Sequence, residues 1–188
     1  MSITATKVEP KIWVGCLACY NDGRLVGEWL EPDDVDGVST DDVRNLIHKE
    51  HPAPNVHGFC EEVWVMDHEG FGGLLKGECS PWEAAEIAKV IAYCDEVGMP
   101  LGAFAAWRDN VDATATPTTE LVDTARDAYL GEWDNLEAYA WDYLDDQLDA
   151  LPEWVQSHRG AIVKDWARDA EHTMTTADAP GGVYVFTS

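Results

Sequence analysis

Residues 11–20 (KIWVGCLACY), 21–23 (NDG) and 24–30 (RLVGEWL) decide the fold: two apolar, β-prone runs flank three residues that tolerate positive φ, the pattern of a β-hairpin. In the first run Ile12, Val14 and Cys16 alternate with Trp13, Leu17 and Cys19, so both faces are apolar. Such a strand belongs in the middle of a sheet with a helix over one side. Downstream, Ser39 and Thr40 cap a short helix reaching about Glu50; Asp41 and Asp42 favour its positive end, and Pro52 and Pro54 stop it. Residues 61–66 (EEVWVM) read as a third strand and 67–73 (DHEGFGG) as the turn leaving it.

At Ser80-Pro81-Trp82-Glu83 an N-cap, a proline at the first helical position and a glutamate three residues after the cap announce a helix. Ala84, Ile87, Ala88 and Ile91 form its apolar face, and Gly98 and Pro100 end the segment. A second helix over about 101–111 turns Phe104 and Trp107 inward, and residues 113–119 (ATATPTT) read as a linker. Further on, Leu136, Tyr139, Ala140, Tyr143, Leu144, Leu148 and Leu151 repeat with helical period; another helix covers about 161–171, and residues 181–186 close the chain as a strand after a turn. The expected class is α+β without internal repeats, in three modules: an antiparallel sheet with a helix at 1–79, a helical module at 80–118 and an acidic α+β module at 119–188.

Charge constrains function. Twelve Lys and Arg face 36 Asp and Glu, giving a formal net charge of −24 and a sequence pI near 4.2. Unaided binding to nucleic acid or to an anionic membrane is therefore strongly disfavoured, and the expected partner is basic. Hydrophobic residues at 46%, nine of them Trp, offset chain entropy, so the chain folds despite its acidity. No run suggests a membrane span, residues 1–6 lack the pattern of a secretion signal, and five cysteines do not pair evenly; the expected location is the cytoplasm.

Within 119–153 the acids are Glu120, Asp123, Asp127, Glu132, Asp134, Glu137, Asp142, Asp145, Asp146, Asp149 and Glu153, against the single base Arg126. Asp142, Asp145, Asp146 and Asp149 recur at i, i+3, i+4 and i+7 and share one helix face. Like charges at i,i+4 cost about 0.2–0.5 kcal/mol per pair, so this row asks for a reason. A solvated face, or a proteome acidic throughout, is one. The other is imitation of the DNA backbone: carboxylates accept bidentate Arg bonds much as phosphates do, and i,i+4 carboxylates sit roughly 6 Å apart along the axis. A charge of −24 equals that on roughly 40 Å of duplex. Asp33, Asp34, Asp36, Asp41 and Asp42 form a second acidic group with the same expected role.

Other constellations fail. Cys16-x-x-Cys19 with His48, His51, His57 and Cys60 suggests zinc, but strand residues three apart point to opposite faces, so no metal site is expected. Asp34, Asp36 and Gly37 resemble part of an EF-hand loop whose first and twelfth positions would be Pro32 and Val43, where carboxylates are required. No cofactor and no catalytic residue is assigned; a carboxylate- or metal-dependent hydrolase is the weaker alternative to a binding protein, beside a decoy for some other basic DNA-binding protein. Trp13, Trp29, Trp64 and Trp82 are read as core, and Trp141 as facing a partner.

Residues 12–29 (IWVGCLACYNDGRLVGEW) resemble the opening of the ArdA antirestriction proteins, with their aromatic strand, Tyr-Asn-x-Gly turn and Gly-x-Trp return. Residues 61–71 (EEVWVMDHEGF), Tyr129-Leu130-Gly131-Glu132-Trp133, Trp166-Ala167-Arg168-Asp169 and 182–186 (GVYVF) are similar to further blocks in family order, whereas Ser157-His158-Arg159-Gly160 departs from an aromatic and acidic pattern. The resemblance implies an elongated protein of three small modules that imitates bent B-form DNA. It implies inhibition of type I restriction–modification enzymes by occupation of the DNA groove of their methyltransferase core. It further implies an antirestriction motif near residues 142–155 and a homodimer, for which Trp141, Leu144, Leu148 and Trp154 are the expected contacts.

Overall fold

The computed structural model describes residues 9–50 and 60–187. Two compact units, Met1–Tyr93 and Cys94–Ser188, divide the chain. Both are α+β, each with one three-stranded antiparallel sheet.

In the first unit β1 (Lys11–Cys16) lies between β2 (Gly27–Leu30) and β3 (Val63–Glu69), the central position expected from its two apolar faces. Ile12, Val14 and Cys16 are buried on one face together with Leu30, Val63 and Val65. Helix α2 (Thr40–Ile47) covers that face with Val43 and Ile47, started by Ser39, whose hydroxyl accepts from the Asp42 N–H at 3.2 Å. On the other face the Trp13 indole crosses the backbone of β2: a Cβ at Gly27 would lie 2.5 Å from the ring and 2.6 Å from the Val14 carbonyl oxygen. The register shifts between Trp13 and Val14, leaving Met66 as the extra residue of a bulge.

Several expectations need correction here. The strands β1 and β2 pair as a hairpin would, but the connection is not a tight turn: the chain leaves the strand at Cys16 and forms helix α1 (Leu17–Asn21). A short apolar run reads equally as strand or buried helix, and Leu17 and Ala18 suit a helix. Helix α2 ends at Ile47, ahead of Pro52 and Pro54, which with His51 and His57 lie outside the described residues. Strand β3 continues through Asp67, His68 and Glu69, and the turn begins only at Gly70. Trp29 and Trp64 are 46% and 36% exposed, so they are not core residues; Trp82 is half-buried and donates its indole N–H to the Val38 carbonyl at 2.9 Å.

Helix α3 (Pro81–Glu96) starts as its sequence dictates, with the Glu83 N–H donating to the Ser80 hydroxyl at 3.1 Å and Ala84, Ile87 and Ile91 buried. The unit boundary falls inside it. In the second unit α4 (Leu101–Asp112) buries Phe104 and Trp107 as expected and packs on the sheet β4 (Tyr129–Trp133), β6 (Gly182–Thr187), β5 (Met174–Ala179), in which β6 is central. Gly182 has φ +150°, and a Cβ there would collide with the Trp133 carbonyl, which fixes glycine at the start of β6. Helices α5 (Thr119–Ala128) and α7 (Glu153–Gln156) and strands β4 and β5 are structure that composition alone had not resolved. Helix α6 (Leu136–Asp149) packs its buried residues Ala140, Leu144 and Leu148 on Val163 and Ala167 of α8 (Arg159–Ala170). Among the described residues no helix is long and apolar enough to cross a membrane.

Candidate functional site

Helix α6 carries the acidic row and the core face on one element. Asn135 starts it by accepting the Ala138 N–H at 2.9 Å, and Gln156 ends it, its amide donating to the carbonyls of Leu148 and Leu151 at 3.0 and 2.8 Å. Between these caps Asp142, Asp145, Asp146 and Asp149 are all exposed, while Leu144 and Leu148 point the opposite way into the core. Tyr143, expected on the apolar face, lies at its edge: it is 52% exposed, with its ring centroid 5.8 Å from Tyr139 and 5.1 Å from Trp166.

The row is not uniformly bare. The Arg159 guanidinium, presented by the first residue of α8, reaches Asp149 at 2.7 Å and Asp145 at 3.9 Å. Glu153 lies in the first turn of α7 and is exposed. On α5, Arg126 pairs with Asp123 at 3.5 Å and Asp127 at 3.8 Å. Glu120 is exposed in the first turn of that helix, where hydrogen bonds from its own backbone N–H and then from Thr118 hold its carboxyl below the usual range. Glu132 and Asp134 are exposed around the end of β4, Glu132 accepting the Gly181 N–H at 2.7 Å; Glu137 is half-buried in the first turn of α6.

The acids of the first unit are exposed too, but several already have local work. Asp33 and Asp34 lie in a single 3-10 turn, Pro32–Asp34, where Asp34 accepts the Glu31 N–H at 3.1 Å. Asp36 accepts from Lys89 at 2.9 Å, and Glu86 and Asp36 together raise the lysine above its usual range. Asp41 pairs with the nearly buried Arg44 at 2.9 Å, and Asp42 accepts from the Ser39 hydroxyl at 2.6 Å. Thus fourteen of the sixteen carboxylates are exposed, Asp123 and Glu137 being half-buried, and they share exposure more than they share freedom.

Leu144 and Leu148 are corrected as candidate subunit contacts, because both are sealed in the chain's own core by α8. Trp141 and Trp154 remain on the surface, 38% and 78% exposed.

Geometry also overturns the reason for setting zinc aside. Cys16 caps α1 and Cys19 is its third residue, positions whose side chains meet at a helix start. The ligand atoms of Cys16, Cys19, His48 and Cys60, all four residues buried, lie within 4.8 Å of one another. Burial, followed by the neighbouring Cys16 and Cys19 thiols, pushes the Cys60 thiol up to about 12. All five cysteines are free thiols.

A family model described as antirestriction protein (ArdA) matches residues 12–185. No curated protein matches the chain.

Proposed function

The chain belongs to the antirestriction protein (ArdA) family, and on that premise we propose that it inhibits type I restriction–modification enzymes as a stoichiometric decoy for DNA. The observation that supports this most is the row Asp142, Asp145, Asp146 and Asp149, held outward on α6 by a core that fixes the helix's rotation. Successive i,i+4 carboxylates on such a helix are spaced by roughly 6 Å, on the scale of neighbouring phosphates. Each is a planar anion able to accept bidentate bonds from the Arg, and point-charge contacts from the Lys, that a DNA-gripping groove offers.

The partner in this reading is the methyltransferase core of the bacterial enzyme, and its cationic groove is the docking surface. Binding releases counterions from both partners and makes or breaks no covalent bond, so the protein is an inhibitor and not an enzyme. A decoy without bases presents no recognition sequence, so enzymes with different target sites are blocked alike. A homodimer is the proposed assembly, with the exposed Trp141 and Trp154 as its contacts.

Competition decides the matter. A labelled duplex bound to a type I methyltransferase core is titrated with the protein, and displacement is expected near stoichiometry at low salt. The apparent affinity falls about tenfold or more between roughly 50 and 200 mM salt. Absence of displacement, or displacement indifferent to salt, would overturn the reading. Displacement from an unrelated basic DNA-binding protein alone would transfer it to that partner.

A further inference from the structure

Three stretches of chain that are distant in sequence bring sulfur and nitrogen donors to one point in the first unit. Cys16 and Cys19 come from the β1–α1 corner, His48 from the C-cap of α2, and Cys60 from the segment entering β3. All four are buried, and each offers a ligand atom within 4.8 Å of every other. The Cys19 and Cys60 sulfurs are 3.8 Å apart. A disulfide needs about 2.05 Å. Two thiolates on one tetrahedral zinc, each at about 2.3 Å, stand about 3.8 Å apart.

We propose that Cys16, Cys19, His48 and Cys60 bind one zinc ion as a closed Cys3His structural site. The donor set selects the metal: three soft thiolates and an imidazole in tetrahedral array suit zinc, whereas magnesium or calcium would require oxygen ligands. Binding replaces three S–H protons with one divalent cation, so three protons leave for each zinc taken up and His48 coordinates as the neutral imidazole. Four protein ligands leave no position for water or substrate, which makes the ion a cross-link and not a catalyst. It ties α2 to the β1–α1 corner and to the start of β3, adding a fixed point where the sheet is otherwise held to its helix by Val43 and Ile47. This inference is independent of the antirestriction reading, since it concerns the folding of the first unit and not the acidic surface.

The test is metal content of the full chain, purified under reducing conditions without a metal-affinity step from zinc-supplemented cells. Elemental mass spectrometry is expected to give about one zinc per chain, released in full when a mercurial titrates the thiols. Cys19→Ser and Cys60→Ser each lower the zinc content about tenfold or more, while Cys94→Ser, at a buried thiol outside the cluster, keeps it. In case the serine variants do not fold, cobalt is titrated into the zinc-stripped wild-type chain. Thiolate-to-cobalt charge-transfer absorption and the intense visible bands of tetrahedral cobalt are expected, saturating at about one equivalent. A wild-type chain without zinc and without cobalt absorption overturns the proposal. So does zinc retained in full by Cys19→Ser and Cys60→Ser, or a Cys19–Cys60 disulfide in the reduced preparation.

Discussion

The Arg159 guanidinium stands 2.7 Å from the Asp149 carboxylate and 3.9 Å from that of Asp145, joining the first residue of α8 to two members of the acidic row on α6. Arg159 is half-buried and both acids are exposed, so the contact lies at the margin of solvent. It offsets part of the repulsion that Asp145 and Asp149 exert on each other. The row therefore has a neutralised end, around Asp149, and an end around Asp142 where the charge faces water.

Arg159→Gln removes this link. A partly exposed pair contributes up to about 1 kcal/mol, and urea unfolding is expected to show a loss of that order. Inhibition should hold or strengthen, because the surface becomes more anionic; weaker inhibition with the fold intact would place Arg159 itself in the contact.

Replacing Asp142, Asp145, Asp146 and Asp149 together with Asn keeps side-chain size and removes four negative charges. Relief of two i,i+4 repulsions, each about 0.2–0.5 kcal/mol, compensates for the lost Arg159 pairs, so stability stays within about 1 kcal/mol of the parent. DNA displacement from the methyltransferase core should weaken, with a shallower salt dependence. An unaltered displacement curve would reduce the row to ordinary surface.

Leu148→Ala opens a cavity between α6 and α8, since Leu148 is 2% exposed and packs in the cluster with Val163 and Ala167. The expected cost is about 2–5 kcal/mol, read from denaturant midpoints. Trp154→Ala, at a side chain 78% exposed, should leave those midpoints nearly unchanged and instead lower the dimer fraction in sedimentation, if Trp154 is a subunit contact as proposed.

Cys79 and Cys94 are pushed up to about 11, chiefly by burial and then by the charges of Glu83 and Asp95 respectively. The native chain holds both protons where an unfolded chain would release them. Their contribution to stability is complete below the ordinary thiol value near 8.5 and is lost as pH rises through about 11. At pH 8 both should resist iodoacetamide in the native protein and react after denaturation, as mass spectrometry would show. Rapid labelling of the native chain would contradict this protonation.

Particular residues mark where the sequence could be read. Ser80-Pro81-Trp82-Glu83 carries its instruction locally, in one hydroxyl, one ring and one carboxylate, and α3 obeys it. The apolar repeat from Leu136 to Leu151 likewise marks α6, because period alone separates Leu144 and Leu148 from Asp145 and Asp149. Cys16 to Tyr20 is different: an uninterrupted apolar run satisfies strand and buried helix equally, and the chain turns from β1 into α1 after Cys16 with no polar residue to mark the change. That one ambiguity hid the convergence of Cys16, Cys19, His48 and Cys60. In the acidic surface, exposure largely followed from composition, and the Asp41–Arg44 pair is set by i,i+3 spacing on α2, whereas the partners of Asp36 and Asp149 are set by where Lys89 and Arg159 arrive in space.

Because α6 turns one face to Val163 and Ala167 and the other to water, a single inserted or deleted residue in it would swing everything beyond by about 100°. Carboxylates would then enter the interior and leucines would leave it. Descendants of this chain can exchange aspartate for glutamate along the outer edge at little risk, yet the residue count between Asn135 and Gln156 is locked. Evolution here is free in spelling and bound in metre.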